Sequence, residues 1–140
     1  ARSSFATTKA IATKAMKTEW VRKRQRRERS GRQAETAAGL WLQLKGYRIL
    51  DRRARTPQGE LDLVAAKGSM LVFVEVKSRQ TFAAALDAVT PETRTRVEQA
   101  ARLWVSRKPK MRDWLWRFDI VLLAPGRLPR HMPDAWRAER

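Results

Sequence analysis

At 140 residues the chain has room for one compact domain plus tails, so any site must be built on a single core. It carries 31 Lys and Arg against 14 Asp and Glu, a formal charge of +17, which favours a polyanion: nucleic acid first, an anionic membrane surface second. With no cysteine, one histidine (His131) and no run near the roughly 20 apolar residues of a spanning helix, thiolate and two-histidine metal sites, a Ser-His-Asp triad and a membrane span are all disfavoured.

Catalysis, if present, falls to carboxylates and lysine, and the lack of cysteine suits a cytoplasmic setting. Residues 1–30 read as a basic tail, helical in part or disordered, with 10 basic and 2 acidic side chains (+8), leaving 21 and 12 (+9) for residues 31–140. Its Ala/Ser/Thr/Lys opening fits a transit peptide, an appended leader or an early start with Met16 as another. From Ser30 the pattern turns helical, with Ala34, Ala37, Ala38, Trp41, Leu42 and Leu44 three and four apart and Gly46 suited to the left-handed stop. Residues 47–55 look extended. Thr56-Pro57-Gln58-Gly59 supplies a turn, and strands follow over 60–65 and 70–78, the second nearly unbroken in apolar residues. Thr90-Pro91-Glu92 opens a helix with Val97, Ala100, Ala101, Trp104 and Val105 inward. Its outer face carries Arg94, Arg96, Arg102, Arg107 and Lys108, which read as phosphate grips or as a solvated face. Pro109 ends that helix, 116–123 is a further strand, and Pro125, Pro129 and Pro133 mark a Pro-rich finish.

Glu75 and Lys77 interrupt the most apolar run in the chain, where an unpaired charge costs several kcal/mol. Strand alternation puts both on the face of Phe73, opposite Val72, Val74 and Val76, and sets Glu60 and Asp62 opposite Leu61 and Leu63. A two-residue hairpin loop at Gly68-Ser69 then places Asp62 across from Glu75 and Glu60 across from Lys77. Two facing carboxylates call for a cation, and Mg²⁺, a hard ion content with one or two carboxylates and its own waters, fits. Lys77 would orient a water or a phosphate. A solvated face of ordinary ion pairs explains the spacing equally well.

The runs Gly59-Glu60-Leu61-Asp62-Leu63 and Phe73-Val74-Glu75-Val76-Lys77 resemble the PD-(D/E)xK nuclease pattern, specifically that of the YraN family of small bacterial proteins. The likeness extends over Gly31-Arg32-Gln33-Ala34-Glu35, Gly46-Tyr47, Ala88-Val89-Thr90-Pro91, Arg117 to Val121 and His131 to Trp136; Leu61 stands where many such nucleases have proline. The resemblance implies an α/β, restriction-endonuclease-like core at 31–140, a central mixed sheet flanked by helices, similar to archaeal Holliday junction resolvases. It implies a helix-borne acid, Glu35, joining Asp62 and Glu75 as ligands of Mg²⁺ or Mn²⁺, and Lys77 as the catalytic lysine. By spacing alone, Glu35 fits an exposed first-turn acid just as well. The implied activity is metal-dependent endonucleolytic cleavage of DNA before RNA, on branched or flapped structures, by a chain expected to dimerise. The alternatives are a non-catalytic nucleic-acid-binding protein of the same fold and an RNA-associated basic protein.

Trp114 and Trp116, beside Arg112 and Arg117, suit stacking on exposed bases, though core packing or a dimer surface is the stronger reading. His131 reads as a surface residue, and Asp119 as a structural partner for an arginine.

Overall fold

The fold is that of a computed structural model, which describes residues 2–138, with backbone alone at 2–6 and 30; Ala1, Glu139 and Arg140 lie outside the described residues. The chain divides into Ala1–Arg32 and Gln33–Arg140, with α1 (Arg2–Leu44) assigned across both. Among the described residues of the first unit the large apolar side chains Ile11, Met16, Trp20 and Val21 are all exposed, and Arg24 pairs with Glu28 one turn on. Among the described residues no helix is long and apolar enough to cross a membrane.

In the second unit, α1 ends in a glycine stop. Gly46 takes φ 92°, and the Tyr47 N–H donates back to the Leu42 carbonyl at 3.0 Å. Five strands follow, β1 (Arg48–Thr56), β2 (Gly59–Lys67), β3 (Met70–Ser78), β4 (Leu115–Leu123) and β5 (Arg130–Trp136), in spatial order β1-β2-β3-β4-β5. Only β3 and β4 run parallel, because the chain between them crosses over through α2 (Phe82–Asp87) and α3 (Pro91–Ser106). The result is an α/β, restriction-endonuclease-like core with a mixed sheet between helices.

Each face of the sheet has its own core. Ala34, Ala38 and Leu42 of α1 pack on Leu63, Ala65, Val72, Val74, Val76 and Val121. On the other face, Val97, Ala100, Ala101, Trp104 and Val105 of α3 pack on Leu61, Val64, Leu71, Phe73, Phe118 and Ile120. The Gly68-Ser69 hairpin sets the expected register, from Lys67↔Met70 to Leu63↔Val74. Thr90 caps α3, its hydroxyl accepting from the Thr93 N–H at 3.2 Å. Thr90→Ala is expected to cost about 1 kcal/mol, readable in the urea midpoint with the slope unchanged.

Three details depart from the sequence reading. The Pro-rich finish contains β5, an edge strand, where the exposed Pro133 leaves no ladder bond unmade and Asp134 takes φ 50°. Thr81 caps a helix, α2, too short to show periodicity. And Leu61 and Leu63 do not share a face: Leu61 joins the α3-side core and Leu63 the α1-side core. The break falls at Asp62, beside Arg53 of β1, which lies in the left-handed region at φ 50° between the pairs Arg52↔Leu63 and Ala54↔Leu61.

Candidate active site

The site lies where β2 and β3 part. Val74 and Val76 point into the α1-side core, so Glu75 between them turns to the other face, where it is 3% exposed. Asp62 follows Leu63, the last residue of β2 paired to β3. Its Oδ2 accepts a hydrogen bond from the Val76 N–H at 2.9 Å, so the carboxylate takes the place of a ladder carbonyl. Asp62 and Glu75 therefore come close enough for each to act on the other, one step beyond Leu63↔Val74, where the paired ladder ends.

Neither carboxyl ionises easily there. Burial first, then the charge of Glu75, pushes Asp62 up to about 7, against the stabilising Val76 N–H. Burial likewise raises Glu75, while Lys77 and Arg96 work to lower it. Lys77 lies on the same face with Nζ 3.5 Å from Glu75 Oε1. It does not pair with Glu60, contrary to the register extrapolated from the hairpin. Beyond Leu63, β2 stays with β1, and the exposed Glu60 sits opposite Arg55, 3.9 Å from its Nε.

Glu35 borders the core beside Ala34 and Ala38, and its charge reaches Asp62. Its carboxylate is held by Arg53 Nε at 2.5 Å, a bond that raises the Arg53 pKa further. Among the described residues no three His, Asp or Glu side chains gather into a metal cluster. The arrangement is a facing pair, Asp62 and Glu75, with Glu35 nearby but neutralised by Arg53. Two buried carboxylates that resist ionising side by side are hard oxygen donors suited to a proton or a divalent ion between them, and Mg²⁺ or Mn²⁺ fits such a pair.

The five basic residues of α3 separate into different settings. Arg102 and Arg107 are exposed, and the Lys108 ammonium lies 5.5 Å from the centre of the Trp104 ring. Arg94 is half-buried, its guanidinium 5.8 Å from the Trp136 ring centre and its Nε unpartnered. Arg96 alone turns toward the carboxylate pair, and with Arg53 it belongs to the site in a way that sequence spacing gave no sign of. Trp114 is partly buried against the α3-side core, whereas Trp116 meets Phe73 edge-on at 5.5 Å and stays 37% exposed, so core packing accounts for Trp114 and for one edge of Trp116.

His131 is not a surface residue. Its side chain is 1% exposed, with Nε2 2.6 Å from Asp119 Oδ2 and Nδ1 2.5 Å from Lys45 Nζ. Lys45 can only donate, which leaves Nδ1 as acceptor and Nε2–H as donor to Asp119. Asp119, fully buried, also accepts from Arg117 Nε and Nη2 at 2.8 and 2.7 Å and from the Asp134 N–H at 2.9 Å. Burial works to raise its carboxyl, but these donors outweigh burial and hold it below the usual carboxylate range. Arg117 donates onward to the Tyr47 hydroxyl at 2.6 Å, so the network ties the α1–β1 connection to β4 and β5. The arginine partner expected for Asp119 is Arg117.

Residues 34–123 match the family described as "Uncharacterised protein family UPF0102". The chain is 53% identical over 106 residues to a UPF0102 protein of Caulobacter vibrioides (strain NA1000 / CB15N), spanning 76% of this chain and 85% of that one. It is 48% identical over 122 residues to a UPF0102 protein of Paramagnetospirillum magneticum (strain ATCC 700264 / AMB-1), spanning 84% and 95%. A UPF0102 protein of Rhizobium etli shares 49% over 108 residues, spanning 77% and 88%. A family match over most of the chain, together with relatives near half identity over most of their own lengths, places this protein in the UPF0102 family, the YraN family its strand motifs resemble.

Proposed function

We propose that this protein is a metal-dependent endonuclease that hydrolyses phosphodiester bonds in DNA, with Asp62 and Glu75 as the ion's ligands and Lys77 beside them. The observation that carries this reading is the buried facing pair of carboxylates, with an ammonium 3.5 Å from Glu75. Two buried carboxylates that repel each other would suit a divalent ion, which would offset that repulsion. When bound, Mg²⁺ or Mn²⁺ supplies Lewis acidity and neutralises phosphate charge. Asp62, fastened through Oδ2 by the Val76 N–H, would hold the ion together with Glu75. Lys77 has three donors and needs only one for Glu75, leaving it able to orient a water or a non-bridging phosphate oxygen. The Arg53–Glu35 pair sets a neutral wall beside Asp62.

A charge of +17 brings any nucleic acid to the surface through phosphates. Recognition of branched or flapped DNA would then rest on shape and phosphate contacts. The second reading, a nucleic-acid-binding protein that keeps the fold without turnover, draws support from Glu35, whose commitment to Arg53 leaves two ligands where a third is expected. The test is Mg²⁺ and Mn²⁺ titration with branched, flapped, single-stranded and linear duplex DNA, reading cleavage and binding together. Endonucleolysis is expected to require the ion, to favour branched or flapped substrates and to vanish in Glu75→Gln with DNA affinity largely kept. Tight binding with no cutting on any substrate would transfer the assignment to the binding protein.

A further inference from the structure

Arg96 occupies the second turn of α3, next to Val97, which is buried in the core. The stem of its side chain lies across the first residue of β2. A Cβ on Gly59 would stand 2.6 Å from Arg96 Cγ and 2.8 Å from Cδ, closer than two carbons can approach. Gly59, at φ 142°, thus provides both the backbone conformation that opens β2 and the bare surface over which Arg96 passes. Gly59 begins the strand that carries Asp62 three residues on, so the Arg96 stem crosses β2 near the carboxylate pair.

Arg53 and Arg96 both bring a guanidinium to this end of the sheet, and they differ in what they can still bind. Arg53 is engaged by Glu35 at 2.5 Å. Arg96 makes no hydrogen bond and no ion pair within 4.0 Å among the described residues, and it is exposed. Its charge is felt by Glu75 all the same. A guanidinium held by its stem, acting on Glu75 without a bond to it, keeps its five donors for an anion that arrives from solvent. The planar fork matches the non-bridging oxygens of a phosphodiester, which an ammonium meets only as a point charge.

We propose that Arg96, laid across Gly59, is a phosphate-binding residue of this site that takes the scissile phosphodiester of the nucleic acid between its guanidinium and Lys77. This rests on the endonuclease reading for the word scissile, but the phosphate contact itself can be measured without cleavage. It also separates Arg96 from the rest of α3: Arg102 is six residues, roughly 9 Å of helix, further along, and serves at most to hold flanking backbone.

The experiment compares the parent protein with Arg96→Gln and Arg96→Lys. A fluorescent single-stranded 20-nucleotide DNA reads binding in EDTA over a range of salt, and the best substrate of the parent reads cleavage in Mg²⁺. Arg96→Gln is expected to lower the rate at saturating DNA about 100-fold and to flatten the log-log salt slope of binding by about 0.7, with the melting temperature little changed. Arg96→Lys is expected to restore the salt slope and less than a tenth of the rate. Parental rate and slope in Arg96→Gln would overturn the phosphate site while leaving the endonuclease standing. So would a large fall in melting temperature, which would make Arg96 a structural counter-ion of Glu75. If the parent cuts no DNA, the endonuclease reading fails, and the slope alone decides: a flattened slope upholds the phosphate contact and an unchanged one removes it.

Discussion

Asp62→Asn is expected to abolish metal-dependent cleavage, by about 10³-fold or more, and at the same time to make the metal-free protein more stable at pH 8. Both effects come from one carboxyl. In the folded chain burial and Glu75 raise Asp62 from 3.8 to about 7, and Glu75 is raised as well. The folded state therefore holds a proton that the unfolded chain gives up near pH 4. Stability from this pair is fully present below the unfolded value and is lost as pH rises through the folded one. A shift of this size corresponds to roughly 4 kcal/mol, spread from about pH 4 to beyond 7. Asparagine keeps an acceptor for the Val76 N–H, carries no charge, and removes most of that slope. Asp119 has the opposite sign, since its lowered carboxyl costs stability only in strong acid, and it does not disturb this window. Melting curves in EDTA between pH 4 and 8 check the point. Parent and variant should converge near pH 4 and separate progressively towards pH 8, and parallel curves would mean that the pair is not strained.

Asp119→Ala should be the most damaging substitution in the protein. It leaves Arg117, 17% exposed, and the buried His131 ring without the acceptor that both face, and it frees the Asp134 N–H from its only side-chain partner. Breaking a buried ion pair on one side costs about 3–5 kcal/mol, a large part of the roughly 5–15 kcal/mol that holds a domain together. The melting temperature is expected to fall by about 10 °C or more, with β5 exchanging amide protons first because the network is what pins that edge strand. A loss under about 1 kcal/mol in urea titration would show that the chain satisfies Arg117 by other means.

What could be read from the sequence was local. Gly68-Ser69 sets a hairpin and so brings Asp62 to Glu75, and Thr90-Pro91-Glu92 starts α3 in the right phase to bury Trp104. The facing carboxylates followed from counting alone. The same counting failed at Glu60, because it assumed an unbroken ladder where Arg53 turns left-handed and β2 leaves β3. Arg53 and Arg96 reach the site from neighbouring elements, across Glu35 and Gly59, and no spacing within either element records that approach. His131 was obscured by its prolines: Pro129 and Pro133 suggest a loop, yet Pro133 is tolerated on an edge, and the strand it sits in carries His131 inward to Asp119.

The central claim is that Asp62 and Glu75 together hold a divalent ion. Manganese binding to the purified protein, followed by electron paramagnetic resonance or calorimetry at pH 8 without DNA, tests it most directly. One saturable site is expected, competed by Mg²⁺ and lost in both Asp62→Asn and Glu75→Gln. Binding that survives either substitution, or no binding at millimolar Mn²⁺, would contradict it and leave the carboxylate pair as a proton-sharing contact of the fold.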